Sequence, residues 1–321
     1  MTTNQSAPFE EPIVDQPTAS APPAFDQLGI APPPPAQPVA IQIDPENPPW
    51  TEPRWRGGVR AFLIWVGSVA CLLFVPLILI IPYIIYRVST RVPGALDPVA
   101  LANDKMFLFL SVLGVVPAHA LTFLMAYLVI TGRRRYPFLK TLGFSWPPGW
   151  TTLKGMVICT LIGAGLFAAG AVITRVFPGD ETQLDMLIGS SFAARAVTAF
   201  LAVGTAPLVE ELIYRGMLYP AIARVLGSGV AIALVSLLFA GVHYLQYQNN
   251  LAVIGVISVV SVTLTAVRAY TRRLLPCFVI HLIFNGIQAV LIMLYPFLTK
   301  VQEQTPPPAP NEIIAAVLHL F

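Results

Sequence analysis

Residues 205–217 read TAPLVEELIYRGM, and the whole fold turns on where this stretch sits. Glu210, Glu211 and Arg215 lie inside a segment, 196–223, whose central part is otherwise apolar. In a bilayer each such charge costs roughly 2.5–3.5 kcal/mol on insertion scales, so ionisable groups held there need partners and are functional-site candidates. The composition places them there. The chain is 56% hydrophobic and 11% charged, with a mean hydropathy of +0.72. A soluble domain carries about 25% charged residues.

Working outward, seven apolar segments are predicted at 61–86, 106–130, 153–177, 196–223, 229–247, 251–270 and 275–297. Most reach the ~20 residues that cross a ~30 Å hydrocarbon core, and the fifth is near the lower limit. The fold expected is all-α: a polytopic integral membrane protein of about seven transmembrane helices. Pro76 and Pro82 are expected to kink the first helix, which neighbouring helices can accommodate.

The flanks divide by composition. Residues 1–53 hold seven acids (Glu10, Glu11, Asp15, Asp26, Asp44, Glu46 and Glu52) and many prolines, and Arg54 is the first cationic side chain. The run APPPPAQP at 31–38 favours extended polyproline and cannot bury a core. A disordered, proline-rich cytoplasmic tail is expected over 1–53, with a docking site for a partner that reads proline-rich peptides as the sharper alternative. The transmembrane domain is expected over 54–300, and a C-terminal tail with a short amphipathic piece over 301–321. The start lacks a basic stretch followed by an apolar core, so the first hydrophobic helix is expected to target the membrane.

Basic loops alternate with acidic or uncharged ones. Arg133, Arg134, Arg135, Lys140 and Lys154 lie between segments two and three, against Asp180, Glu181 and Asp185 in the next loop. Under the positive-inside rule this puts the N-terminus in the cytoplasm. Cys71, Cys159 and Cys277 fall in or beside apolar segments and read as buried small hydrophobes.

Glu211 and Arg215 stand at i, i+4 in the acid-before-base order that favours pairing, and a bidentate ion pair is expected. Glu210 points about 100° away around the helix and is left as the carboxylate free for general-base work. His243 follows Phe239 by one turn, and His281 precedes Asn285 by one turn, so each pair shares a helix face. At ~1.5 Å per residue, Glu210 and His243 lie about 20 Å and His281 about 10 Å from the cytoplasmic side, depths compatible with a shared cavity. Pro207 could open its helix toward it. His119 is read as a packing or hydrogen-bonding histidine, and His319 receives no role.

Three ordered motifs, each on its own apolar segment, carry a resemblance: EELIYR as Glu-Glu-x-x-x-Arg, FAGVH as Phe-x-x-x-His and HLIFN as His-x-x-x-Asn. The chain resembles the CPBP intramembrane protease family, which includes type II CAAX prenyl endopeptidases and Abi proteins, over about 150–297. The resemblance implies an intramembrane endopeptidase acting on a membrane-associated peptide, with a prenylated one among the candidates. By it, Glu210 is the catalytic glutamate, His243 helps activate water, and His281 and Asn285 face the scissile carbonyl. Glu211 and Arg215 support them.

The chemistry has two forms: a metal-free one, in which Glu210 and His243 activate water, and one in which Glu210, His243 and His281 hold Zn²⁺. A proton-coupled transporter and a non-catalytic membrane scaffold or immunity protein are the alternatives in other function classes. The partners expected are the bilayer and a peptide, with no nucleic acid; the membrane expected is a prokaryotic plasma membrane rather than endoplasmic reticulum.

Overall fold

The computed structural model describes residues 43–45, 47–180, 182–247 and 250–304. Among them no strand occurs. The expected tail up to residue 42 and the amphipathic piece after 304 lie outside the described residues.

Helices α1 (Arg54–Phe74) and α2 (Leu77–Ser89) build the first span; α3 (Pro98–Ala102) lies in the loop after it. The second span is α4 (Lys105–Leu113) with α5 (Val115–Ile130), followed by the short α6 (Phe138–Leu142). The third is α7 (Thr152–Val176), and α8 (Gln183–Ser190) follows it. The fourth contains α9 (Phe192–Phe200), α10 (Ala206–Glu210) and α11 (Tyr219–Leu226). Helices α12 (Ser228–Tyr247), α13 (Leu251–Thr271) and α14 (Leu275–Gln304) complete the set.

Among the described residues, 6 helical stretches are long and apolar enough to cross a membrane. The seventh apolar segment is α12, whose apolar part, Ser228–Tyr244, is shorter. Large apolar side chains stay exposed on the outside of the bundle, among them Leu161, Val172 and Leu237. Such a surface is stable where the solvent is lipid. The protein is a multi-pass integral membrane protein.

Lipid tails are as apolar as leucine, so these helices gain little from hiding apolar surface and associate through close packing. Glycines set the closest approaches. A Cβ at Gly163 of α7 would stand 2.9 Å from Ile283 Cγ2 and 3.0 Å from the Ile280 carbonyl oxygen of α14. Gly114, between α4 and α5, faces Pro76, between α1 and α2, and a Cβ there would stand 2.5 Å from Pro76 Cα. Two helix breaks therefore meet backbone to backbone. Pro76 separates α1 from α2 as expected, whereas α2 continues through Pro82.

The last residues of the stretch expected as tail, 43–45 and 47–53, pack against the helices. The packed unit begins at Ile43. Pro49–Thr51 forms a 3₁₀ turn with Trp50 and Thr51 buried. Arg60 donates to the Trp50 carbonyl at 2.7 Å, Arg224 bonds Thr51 and Glu52, and Arg268 donates to the Pro45 carbonyl at 3.2 Å. One aromatic anchor and three arginines hold a proline-rich strap whose composition alone reads as unstructured.

Replacing Gly114 with alanine forces a methyl group against Pro76 and is expected to cost about 1–3 kcal/mol, the usual range for overpacking. Gly165→Ala, where no atom lies within 4 Å of the new carbon, is the control. Thermal unfolding in detergent should show a lowered midpoint for Gly114→Ala and none for Gly165→Ala.

Candidate active site

The fourth span is not a uniform α-helix. A π-helical stretch, Leu201–Thr205, precedes α10, and a second, Glu211–Leu218, follows it. Each wide stretch is followed by a helix with proline at its second residue, Pro207 in α10 and Pro220 in α11. Proline has no N–H to give and clashes with the preceding turn, so a regular helix cannot run through it unrelieved. Wider turns absorb the misfit, and π-bulges of this kind gather at functional sites. Glu210 ends the α-helical turn between the two stretches, and Glu211 opens the second.

Arg215 is fully buried, and Glu211 nearly so. Arg215 Nη1 donates to Glu211 Oε1 at 3.0 Å, so the expected i, i+4 pair is present. Its remaining donors go to α13: Nη2 to the Ser261 carbonyl at 3.1 Å and hydroxyl at 2.9 Å, and Nε to the Thr265 hydroxyl at 3.2 Å. The guanidinium also lies 4.8 Å from the centre of the Phe239 ring, within cation–π range.

The pair is not bidentate, which corrects the expected geometry. Glu211 Oε1 also meets His281 Nδ1 at 2.8 Å, while Glu211 Oε2 is buried with no hydrogen-bond partner among the described residues. Arginine spends its other donors on α13, and the histidine takes the second place on the shared oxygen.

His281 is thereby oriented. A carboxylate can only accept, so Nδ1 carries the proton toward Glu211 and Nε2 is turned the other way. Nε2 lies 3.7 Å from Glu210 Oε2, too far for a direct hydrogen bond and suited to both atoms binding one water. The two glutamates differ in access: the Glu210 side chain is 21% exposed and that of Glu211 is 1%.

His243 is fixed by its own helix. Its Nδ1 lies 2.8 Å from the Phe239 carbonyl oxygen. That oxygen also only accepts, so Nε2 keeps a lone pair. The Phe239 ring packs 4.7 Å from the His243 ring and 6.5 Å from that of His281, centre to centre. One residue thus orients a histidine through its backbone and covers Arg215 with its ring. Asn285 donates one amide hydrogen to the Ala202 carbonyl at 2.9 Å, in the first π stretch, and keeps a second.

Glu210, His243, His281 and Asn285 line one cavity of about 370 Å³ within the helical bundle. The rest of its wall is mainly apolar, with His119, Tyr214, Gln246 and Gln288 adding polar atoms. Glu211 and Arg215 stand behind it, so the structure brings all six expected residues to one place in two layers.

Among the described residues no group of three or more His, Cys, Asp or Glu side chains gathers closely enough to hold a metal ion. Glu210, His243 and His281 as arranged do not form a zinc shell.

Two features lay beyond the motifs. Ser261, Thr265 and Arg268 recur at i, i+4 and i+7 on α13, a polar stripe legible in the sequence, and they hold Arg215: Arg268 donates to its carbonyl at 3.2 Å. Gln288 continues the His281–Asn285 face by the same spacing.

Removing the guanidinium should leave Glu211 as an uncompensated buried charge, which typically costs about 3–5 kcal/mol. Arg215→Met is expected to lose that much in detergent unfolding. Adding Glu211→Gln should recover a large part, since it removes the stranded charge.

A scan against family models found residues 192–287 matching "Type II CAAX prenyl endopeptidase Rce1-like". Searches of curated proteins and of solved structures found no match. The matched span holds all three motifs and the whole two-layer site, and it is narrower than the expected 150–297, leaving α7 outside. Over residues 192–287 the chain is similar to the Rce1-like type II CAAX prenyl endopeptidases.

Proposed function

We propose that the protein is an intramembrane endopeptidase that cuts a membrane-associated peptide with a water activated by Glu210. The observation that carries this is the gap between Glu210 Oε2 and His281 Nε2, 3.7 Å, inside a largely apolar cavity that also receives His243 and Asn285.

In this reading the bound water gives a proton to the Glu210 carboxylate as its oxygen attacks the scissile carbonyl carbon. His243 Nε2 accepts the second water hydrogen and aims the lone pair. The carbonyl π electrons move onto oxygen, and the free Asn285 amide hydrogen is the donor for that oxyanion. His281, when protonated at Nε2, adds a second donor, and Glu211 opposite Nδ1 stabilises the imidazolium. Collapse of the tetrahedral centre breaks the C–N bond, and the proton held by Glu210 passes to the leaving nitrogen. General acid–base help of this kind supplies about 10²–10⁴-fold, and an oxyanion donor about 10²–10³-fold.

The apolar wall suits a substrate that arrives through lipid, and a prenylated C-terminal peptide is the substrate class that the family match supports. The excess of basic side chains at Arg133, Arg134 and Arg135 supports reading that end as cytoplasmic, in a prokaryotic plasma membrane.

The test is cleavage of matched prenylated and unprenylated peptides by the purified full-length protein in proteoliposomes. Glu210→Gln and His243→Ala should each lower kcat about 10²-fold or more, with Asn285→Ala losing about 10²–10³-fold. Wild-type cleavage that survives both Glu210→Gln and His243→Ala removes this reading. Preparations stripped with a chelator should keep their activity. Zinc at one equivalent, with activity lost on chelation and restored by zinc, would replace the side-chain mechanism with the metal one.

A further inference from the structure

One polar contact reaches the same cavity from outside the matched residues. His119 sits on α5, is 7% exposed and lines the cavity with Glu210. Its Nδ1 lies 2.8 Å from Thr205 Oγ1. Thr205 ends the first π stretch and is the N-cap residue of α10. A threonine in that place ordinarily turns its hydroxyl back onto a backbone N–H of the first turn. Here the second helical residue is Pro207, which has none, and the hydroxyl makes no cap bond. It is turned across to α5 instead.

The consequence follows from the size of α10. Five residues between two π stretches have little register of their own, so what grips the ends decides where Glu210 points. The far end is held by Arg215 and His281 through Glu211. On the near side the Asn285 bond to the Ala202 carbonyl holds the π stretch, and the His119 bond holds Thr205 itself.

We propose that His119 is a positioning residue: through Thr205 it fixes the start of α10 and so sets the Glu210 carboxylate at its distance from His281 Nε2. Its kinetic consequence rests on the endopeptidase reading; its geometric consequence does not. The two are therefore read separately.

The geometric readout is labelling of Glu210 by dicyclohexylcarbodiimide, an apolar reagent for protonated carboxyls in membrane interiors. Fragment mass spectrometry of the full-length protein separates Glu210 from Glu211, and no peptide is needed. Thr205→Val keeps the volume and removes the hydroxyl; Thr205→Ser keeps the hydroxyl. His119→Phe removes both ring nitrogens, while His119→Asn retains an amide atom near the Nδ1 position. A severalfold change in the Glu210 labelling rate is expected for Thr205→Val and His119→Phe, with Thr205→Ser and His119→Asn close to wild type. In cleavage assays the first two should lose kcat by up to about 10²-fold at nearly unchanged KM, as misplacement of a reacting group by about 1 Å does. The double variant should lose no more than the worse single one, because the two side chains act as a unit.

Unchanged labelling in Thr205→Val overturns the proposal whatever kcat does, and so does an equal change in Thr205→Ser. If the wild type cleaves nothing while the labelling pattern appears as expected, the positioning role stands and the protease reading falls.

Discussion

A buried guanidinium organises the molecule. Arg215 has no access to solvent, and every direction around it is taken: Glu211 on its own helix, Ser261 and Thr265 on α13, the ring of Phe239 on α12. Placing this cation among apolar helices without such partners would be prohibitive. Once those partners are in place, α12 and α13 are locked in register against the fourth span. Glu211, held by the cation, in turn holds His281 on α14. The back layer is thus a structural ion network whose last member, His281, faces the cavity.

That arrangement explains why two adjacent glutamates do different work. Glu211 neutralises Arg215, orients His281 and is sealed off, whereas Glu210, one residue earlier, opens onto the cavity. Adjacent positions on a helix point about 100° apart, which sends one carboxylate to each layer. Rigid scaffolding behind a reacting group is the general requirement for preorganised electrostatics.

Much of this was legible in the sequence, because its signals are local. Hydropathy located the helices, spacing located the Glu211–Arg215 pair, and three motifs in order located the four residues that share the cavity. What escaped depends on which faces meet. No spacing rule says that His281 will claim an oxygen of Glu211 and so break the two-pronged pair, since that bond joins residues 70 apart. His119 looked like a packing residue because its partner, Thr205, lies 86 positions away. The π stretches left only two prolines as a trace. The strap before α1 was hidden by its composition: proline-rich segments read as unstructured, and the arginines that grip it looked like topology signals alone.

Arg268 joins two of these regions. Its Nη2 bonds the Pro45 carbonyl and its Nε bonds the Arg215 carbonyl. The base of the proline-rich tail and the backbone of the ion-network helix therefore hang from opposite sides of one side chain. Arg224, on α11 of the same span, grips the strap at Thr51 and Glu52, so two guanidiniums tie the strap to the span that carries Glu210. Trimming the chain at residue 42 spares those contacts, and trimming at 53 removes them, so the packed residues before α1 are part of the frame that holds the helices.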